Sequence, residues 1–134
     1  MEIDEYIKKL EDDIYKVYIK VLRAEEIIDH CKRKYKFDMF LVKRKYRDAK
    51  YKEKINFKYG VGKFRDRYKK YKAAMESIKI AGPQEINDLK ETDLKEIRQA
   101  KEEFEALKAK YESLGKEYAA ALKKRDRLRK NNRR

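Results

Sequence analysis

Residues 3–35 read IDEYIKKLEDDIYKVYIKVLRAEEIIDHCKRKY, and apolar residues recur along them at alternating steps of four and three. This heptad pattern is typical of a helix that buries a narrow stripe against a partner helix. β-Branched residues fill most of the a positions, a choice that favours two-stranded packing in parallel coiled coils. The stripe comprises Ile3, Ile7, Leu10, Ile14, Val17, Val21, Ala24, Ile28, Cys31 and Tyr35.

Beyond Tyr35 the heptad register shifts, because Asp38 and Lys45 occupy the next positions of the old stripe. A new stripe continues in the same helix, and a shift of this kind locally unwinds a supercoil. Phe37, Phe40 and Leu41 add apolar surface beside it. We therefore expect a third helix to pack against this half of the first one. The new stripe comprises Met39, Val42, Tyr46 and Ala49.

Two glycine-containing segments divide the remaining chain. Gly60-Val61-Gly62 is predicted to end the first helix, and Ala81-Gly82-Pro83 is predicted to end the second. The last helix either starts with Pro83 in its first turn or restarts at Asp93, which forms a capping-box pattern with Glu96. Its own heptad stripe begins at Ile97 and includes Phe104, Leu107, Tyr111, Leu114, Tyr118 and Ala121.

These patterns predict an all-α fold, an elongated antiparallel coiled coil or helical bundle of about three helices over 2–58, 63–80 and 84–130. If only Gly60–Gly62 reverses the chain, the later helices return along the first as one antiparallel arm. If Gly82-Pro83 also reverses it, the last helix runs parallel to the first, and a dimer is nearly required. We favour the antiparallel arm, and two such arms could also form a dimer.

The length of 134 residues indicates a single helical domain. Within it we assign residues 1–35 and 94–128 to a coiled-coil stem, 36–81 to a basic helical-hairpin end, and 131–134 to a disordered tail.

Positive charge is concentrated in two blocks of the sequence. Residues 32–72 contain eighteen Lys or Arg and four Asp or Glu, a net charge equal to the +14 of the whole chain. Residues 120–134 form a second basic block, with eight Lys or Arg and one Asp. In an antiparallel arm the second block would lie beside the acidic beginning of the first helix and neutralise it. Charge this segregated is typical of a protein with an anionic partner, which we expect for the first block.

The candidate binding residues share helix faces next to the Gly60–Gly62 turn. Cations at helical spacing along a rod can contact successive phosphates without reading sequence. Two tyrosines lie among them off the stripe, where an aromatic ring can stack on unpaired bases. The predicted nucleic-acid-binding residues are Lys36, Lys43, Arg47, Lys50, Lys54, Lys63, Arg67, Lys70, Tyr51 and Tyr59. The predicted partner is DNA or RNA, bound non-specifically.

The sequence offers little for catalysis. His30 is the only histidine and Cys31 the only cysteine, so a tetrahedral zinc site would lack ligands. Phosphate-binding glycine loops and nucleophile–base pairs are missing from the sequence. We therefore expect a protein that is not an enzyme and needs no metal or cofactor. The lack of a long apolar run and of a signal peptide predicts a cytoplasmic protein without a membrane span. A small accessory factor of a phage or mobile element would suit such a chain.

Two other functions remain open at this point. The basic end could dock on an acidic protein or a nucleoprotein enzyme, as an adaptor or inhibitor does. Alternatively, the heptad stripes could mediate self-assembly of a structural or scaffolding coiled coil, or of a homodimer.

Overall fold

The computed structural model describes residues 2–133 and contains two helices. Helix α1 spans Ile3–Tyr59 and helix α2 spans Phe64–Asn132. The residues between them form a tight turn in which Gly62 has a φ of +116°, a conformation that favours glycine. The all-helical fold is confirmed and the turn lies at the predicted Gly60–Gly62, but the prediction of about three helices is wrong.

The predicted break at residues 81–83 does not exist, because α2 passes through Gly82 and Pro83 as one helix. A proline inside a helix lacks the N–H donor and costs about 3 kcal/mol relative to alanine. At the same point α2 packs closely on α1: a β-carbon at the buried Gly82 would lie 3.5 Å from the ring of Tyr46. Packing of this kind overrides local propensity, and Pro83 itself stays exposed.

The contacts divide the described chain into two units. Unit 1 combines α1 up to Asp29 with α2 from Arg98 onward, and unit 2 comprises His30–Ile97. In unit 1 the two helices run antiparallel, and successive contacts are seven residues apart on each helix. They pair Asp4 with Arg125, Glu11 with Tyr118, and Tyr18 with Tyr111. This spacing is that of a heptad coiled coil.

Unit 1 contains most of the buried apolar side chains of the protein. Ile7, Leu10 and Ala121 form a cluster in which each residue is at most 5% exposed. Further along the same stripe, α1 buries Val17, Ala24 and Ile28, and α2 buries Ala100. Arg125 and Arg129 each lie 3.9 Å from the carboxylate of Asp4, which is the predicted pairing of the basic and acidic blocks.

In unit 2 the helices are also antiparallel, and ion pairs join them in addition to apolar and aromatic contacts. Lys34 pairs with Glu96 and Lys45 with Glu85, so successive ion pairs are eleven residues apart on each helix. Eleven residues correspond to about three full helical turns, so the two ion pairs lie on the same face of each helix. Only Gly82, Asp93 and Ile97 are buried among the residues of this unit. The predicted stripe residues Met39, Val42, Tyr46 and Ala49 are half-buried.

Three further expectations need correction. A third helix does not cover Phe37, Phe40 and Leu41, which are 43% to 60% exposed. Asp93 does not cap a helix but lies buried inside α2. The segment predicted as a disordered tail begins with Asn131 and Asn132, which belong to α2, and ends with Arg134, which lies outside the described residues.

Candidate nucleic-acid interface

An aromatic cluster fixes the end of unit 2 beside the turn. The ring of Phe57 stacks on Tyr71 with centroids 5.1 Å apart and contacts Phe64 at 5.4 Å. Tyr68 adds an edge-on contact with Phe57 at 6.0 Å. Aromatic pairs at these separations stabilise a structure beyond the area they bury. The cluster thus holds the last turns of α1 and the first turns of α2 in a defined geometry.

Gly60 and Arg67 close the end of α1 at this turn. A β-carbon at Gly60 would collide with the carbonyl oxygen of Asn56, so the position requires glycine. The Nη1 of Arg67 donates a hydrogen bond of 2.8 Å to the carbonyl oxygen of Phe57, one of the carbonyls that α1 leaves without a helical donor. Arg67 is half-buried, so this predicted binding residue serves as a helix cap.

Three of the predicted binding residues line one groove between the two helices. Lys43, Arg47 and Lys50 extend from α1, and Lys79 faces them from α2. We call this groove, of about 380 Å³, the basic groove. Its remaining lining is uncharged and comprises Tyr46, Ile78, Gly82, Pro83 and Ile86. All four cationic side chains are exposed, so their charges face solvent along one side of unit 2.

The other predicted cations are distributed differently. Lys54 lines a neighbouring groove together with Lys58. Lys70 lines a separate cavity, whose lining also includes Glu53 and Arg67. Lys36 and Lys63 are exposed but line neither groove. The structure therefore does not assemble the ten predicted residues into one surface; it brings together Lys43, Arg47 and Lys50.

The two predicted stacking residues lie outside the basic groove. Tyr51 is 66% exposed and Tyr59 72% exposed. The Nζ of Lys58 lies 5.4 Å from the ring centroid of Tyr59, within the range of a cation–π contact.

The cations of unit 2 separate into ion-paired and unpaired groups. Lys34 lies 3.2 Å from Glu96, and the hydrogen bond to that carboxylate raises the pKa of Lys34. Lys45 lies 3.1 Å from Glu85, which also accepts a hydrogen bond from the hydroxyl of Tyr46. These two donors lower the pKa of Glu85, the tyrosine being the stronger influence.

The basic-groove cations belong to the unpaired group. Within residues 2–133, the ion pairs of unit 2 involve Lys34, Arg44 and Lys45, and no carboxylate lies within 4.0 Å of the four groove cations. Their positive charge is therefore available to an external anion.

Sequence reasoning missed Lys79 and Lys58. Lys79 joins the groove only because α2 runs antiparallel to α1 without a break at Gly82, so that residue 79 lies beside residue 50. The apolar stripes of the two helices could have been aligned to place Lys79 beside the groove. That alignment required knowing which glycine segment reverses the chain. Lys58 was recognisable as a cation four residues after Lys54 on the same helix face.

A pair of carboxyl groups inside unit 2 was also missed. Asp93 is only 4% exposed, and its Oδ2 has no hydrogen-bond partner among the described residues. Burial raises the pKa of Asp93 most, and the hydrogen bond and like charge of Asp38 raise it further. The positive charge of Lys34 acts in the opposite direction, whereas Glu96 adds to the rise. The register shift at Asp38 was the sequence signal for this polar contact.

Comparison with protein-family models, with curated proteins and with solved structures gives no match. Among residues 2–133, groups of three or more His, Cys, Asp or Glu side chains that could hold a metal ion are not present. In the same part of the chain, neither helix contains a stretch apolar enough to cross a bilayer.

Proposed function

We propose that this protein is a non-enzymatic nucleic-acid-binding accessory protein that grips the phosphate backbone through the basic groove. The observation that carries the proposal is the convergence of Lys43, Arg47, Lys50 and Lys79 on one groove without a carboxylate partner. Unpaired cations release the counterions of a polynucleotide when they bind its phosphates, which is the main source of non-specific affinity.

The side chains suit phosphates better than bases. Lysine presents a mobile point charge, and Arg47 can hold a phosphate with two parallel N–H donors. Tyr51 and Tyr59 lie outside the groove, so the proposal rests on phosphate contacts and not on stacking. Both DNA and RNA are candidate ligands, because phosphate contacts carry no sequence information.

The test is a fluorescence-anisotropy titration with short single-stranded and duplex DNA and RNA over a range of salt concentrations. The variant K43Q/R47Q/K50Q/K79Q removes the four groove charges, and glutamine keeps a similar helix propensity. The control variant K101Q/K108Q/K110Q/K116Q removes four exposed lysine charges from α2 in unit 1, with a closely similar change in net charge.

We expect the groove variant to reduce the slope of log K against log salt on duplex DNA by about 3 to 4, whereas the control changes it little. For four phosphate contacts, the affinity lost between about 50 and about 200 mM salt corresponds to a factor of roughly 100. Equal slopes for the two variants would show that net charge, not the groove, drives binding.

The adaptor and scaffold functions are separate outcomes of the same experiment. No binding of the wild-type protein to any polynucleotide at low salt would overturn the proposal. Salt-sensitive binding to a purified acidic protein, in the absence of polynucleotide binding, would support an adaptor or inhibitor. Growth beyond a dimer with rising concentration would support a scaffolding coiled coil. A simple homodimer is compatible with the nucleic-acid function.

A further inference from the structure

One face of α1 in unit 2 is apolar and uncovered. It lies about half a helical turn away from the residues that contact α2, and we call it the outer face. Its aromatic and aliphatic side chains are between 38% and 72% exposed. They are Phe37, Phe40, Leu41, Tyr51, Ile55 and Tyr59. Single exposed apolar residues are ordinary on a protein surface, but several of them aligned on one helix face mark an interaction site.

The outer face has the spacing of a second coiled-coil stripe. Phe37, Leu41, Tyr51 and Ile55 alternate at steps of four and three when the two charged positions between them, Arg44 and Asp48, are included. In the structure Arg44 and Asp48 form an exposed ion pair of 3.7 Å within α1. The order of steps is the same from either end of the stripe: four, three, four, three, four.

A stripe with this symmetry is complementary to itself. If a second copy of α1 lies antiparallel on the outer face, a two-fold axis near residue 46 sets each position against its mirror position. Leu41 then faces Tyr51, and Phe37 faces Ile55. Arg44 faces Asp48 of the other copy, so the charged positions at the centre meet opposite charges twice. Contacts in which residue i meets j and j meets i define an isologous dimer interface.

We propose that the protein forms an antiparallel homodimer through the outer face of α1. The charge pattern favours a second copy over other occupants. A uniformly acidic partner would place a like charge against Asp48, and an uncharged apolar surface would cover the Arg44–Asp48 pair without offering it any further partner. The proposal goes beyond nucleic-acid binding and does not depend on it, because the six positions of the outer stripe do not line the basic groove, although Arg47 lines the groove and also flanks this face.

The charges beside the stripe determine how the dimer responds to salt. Arg47 and Lys54 flank one side of the outer face, and Lys52 flanks the other, next to Lys45, which is paired with Glu85. In the dimer these cations of the two copies approach one another, and added salt screens their repulsion. Dimerisation therefore strengthens as salt rises, whereas binding to a polynucleotide weakens. The two processes can thus be separated by one variable.

The test is sedimentation equilibrium of the full chain at low and high salt, with a charge-exchange experiment at the centre of the stripe. In the variant R44D both central positions are acidic, and in D48R both are basic. Each variant alone should dimerise about tenfold more weakly or worse, because like charges face each other twice. An equimolar mixture should form a heterodimer of wild-type affinity, since every acidic position then faces a basic one.

The control variant K69D changes an exposed lysine of α2 in unit 2 and should dimerise like the wild type. Circular dichroism of each variant reports its helix content, and recovery in the mixture shows that both variants are folded. A wild-type protein that stays monomeric at high salt up to millimolar concentration would overturn the proposal. So would a mixture no more dimeric than its components. Polynucleotide binding is measured separately, so its loss or retention does not affect this result.

Discussion

Units 1 and 2 use the same two helices in opposite ways. Unit 1 buries an aliphatic stripe with contacts every seven residues. In unit 2 the helices are joined by two ion pairs eleven residues apart, and one of its few buried residues is a carboxylic acid. Unit 2 also contains the basic groove and the exposed outer face. The comparison indicates that apolar burial in unit 1 supplies most of the stability, since dry contacts outweigh exposed ion pairs. Unit 2 can therefore accommodate a high density of unpaired charge.

The largest expected effect is the loss of a buried leucine in unit 1. Leu10 is 4% exposed, and L10A should lower the free energy of unfolding by about 3 kcal/mol, because it leaves a cavity in the cluster with Ile7 and Ala121. The matched change L89A removes a half-buried leucine from unit 2 and should cost about 1 kcal/mol. Urea unfolding followed by circular dichroism measures both. Equal losses would contradict the assignment of stability to unit 1.

A smaller effect is expected from two glycine-to-alanine changes that should differ in sign. G60A in unit 2 should destabilise the protein by about 1 to 2 kcal/mol, because the added carbon collides with the carbonyl of Asn56. G115A in unit 1 adds a carbon to an exposed helical position with no atom within 4 Å, and should stabilise the protein by about 1 kcal/mol. Thermal melts of the two variants provide the measurement. A stabilising G60A would show that the turn is not fixed as described.

The third prediction concerns the buried carboxyl pair of unit 2. The pKa of Asp93 is raised in the folded state, because the fold favours the protonated carboxyl group. The stabilisation from protonated Asp93 is therefore complete below the ordinary aspartate pKa and is lost as the pH rises through the raised pKa. D93N removes the charge next to Asp38 and should stabilise the protein by about 1 kcal/mol at neutral pH. The stability advantage of D93N over the wild type should shrink as the pH falls toward the ordinary aspartate pKa, because Asp93 then becomes protonated.

Melting temperatures of wild type and D93N at neutral and acidic pH measure this difference. E91Q, which also removes one carboxylate charge but at an exposed position of α2 in the same unit, controls for the effect of net charge. A D93N advantage that grows on acidification would reverse the assigned direction of the pKa shift.

The two units also differ in how far they could be predicted from the sequence. In unit 1 a regular heptad with aliphatic residues places Ile7, Leu10, Val17 and Ala24 on the buried stripe, and the structure buries all four. Burial of one helix face dominates the energetics there, so the periodicity of apolar residues alone is sufficient to predict which side chains are buried. The Gly60–Gly62 turn was likewise predicted from its glycines, since glycine commonly follows the end of a helix. In the structure Gly62 adopts the positive φ that favours glycine.

In unit 2 the sequence was less informative, because several weak effects compete. Local propensity at Gly82 and Pro83 predicted a helix end, but the close contact of Gly82 with Tyr46 supports one continuous helix. Spacing on α1 placed Lys43, Arg47 and Lys50 on one face. It could not place Lys79 beside them, since that depends on the pairing of residues far apart in the sequence. The cap function of Arg67 depends on the geometry of the turn in the same way.

The contact of Asp4 with Arg125 and Arg129 has a consequence for how the chain could be rearranged. Helix α1 begins beside the last turns of α2, and Val61 in the turn between the helices is fully exposed. A short linker could therefore join the end of α2 to the start of α1, and a new pair of termini could be opened at Val61. In such a circular permutant the core of unit 1 would become a local hairpin, formed by residues close in sequence. The order of folding would then begin with the stem and end with the charged unit.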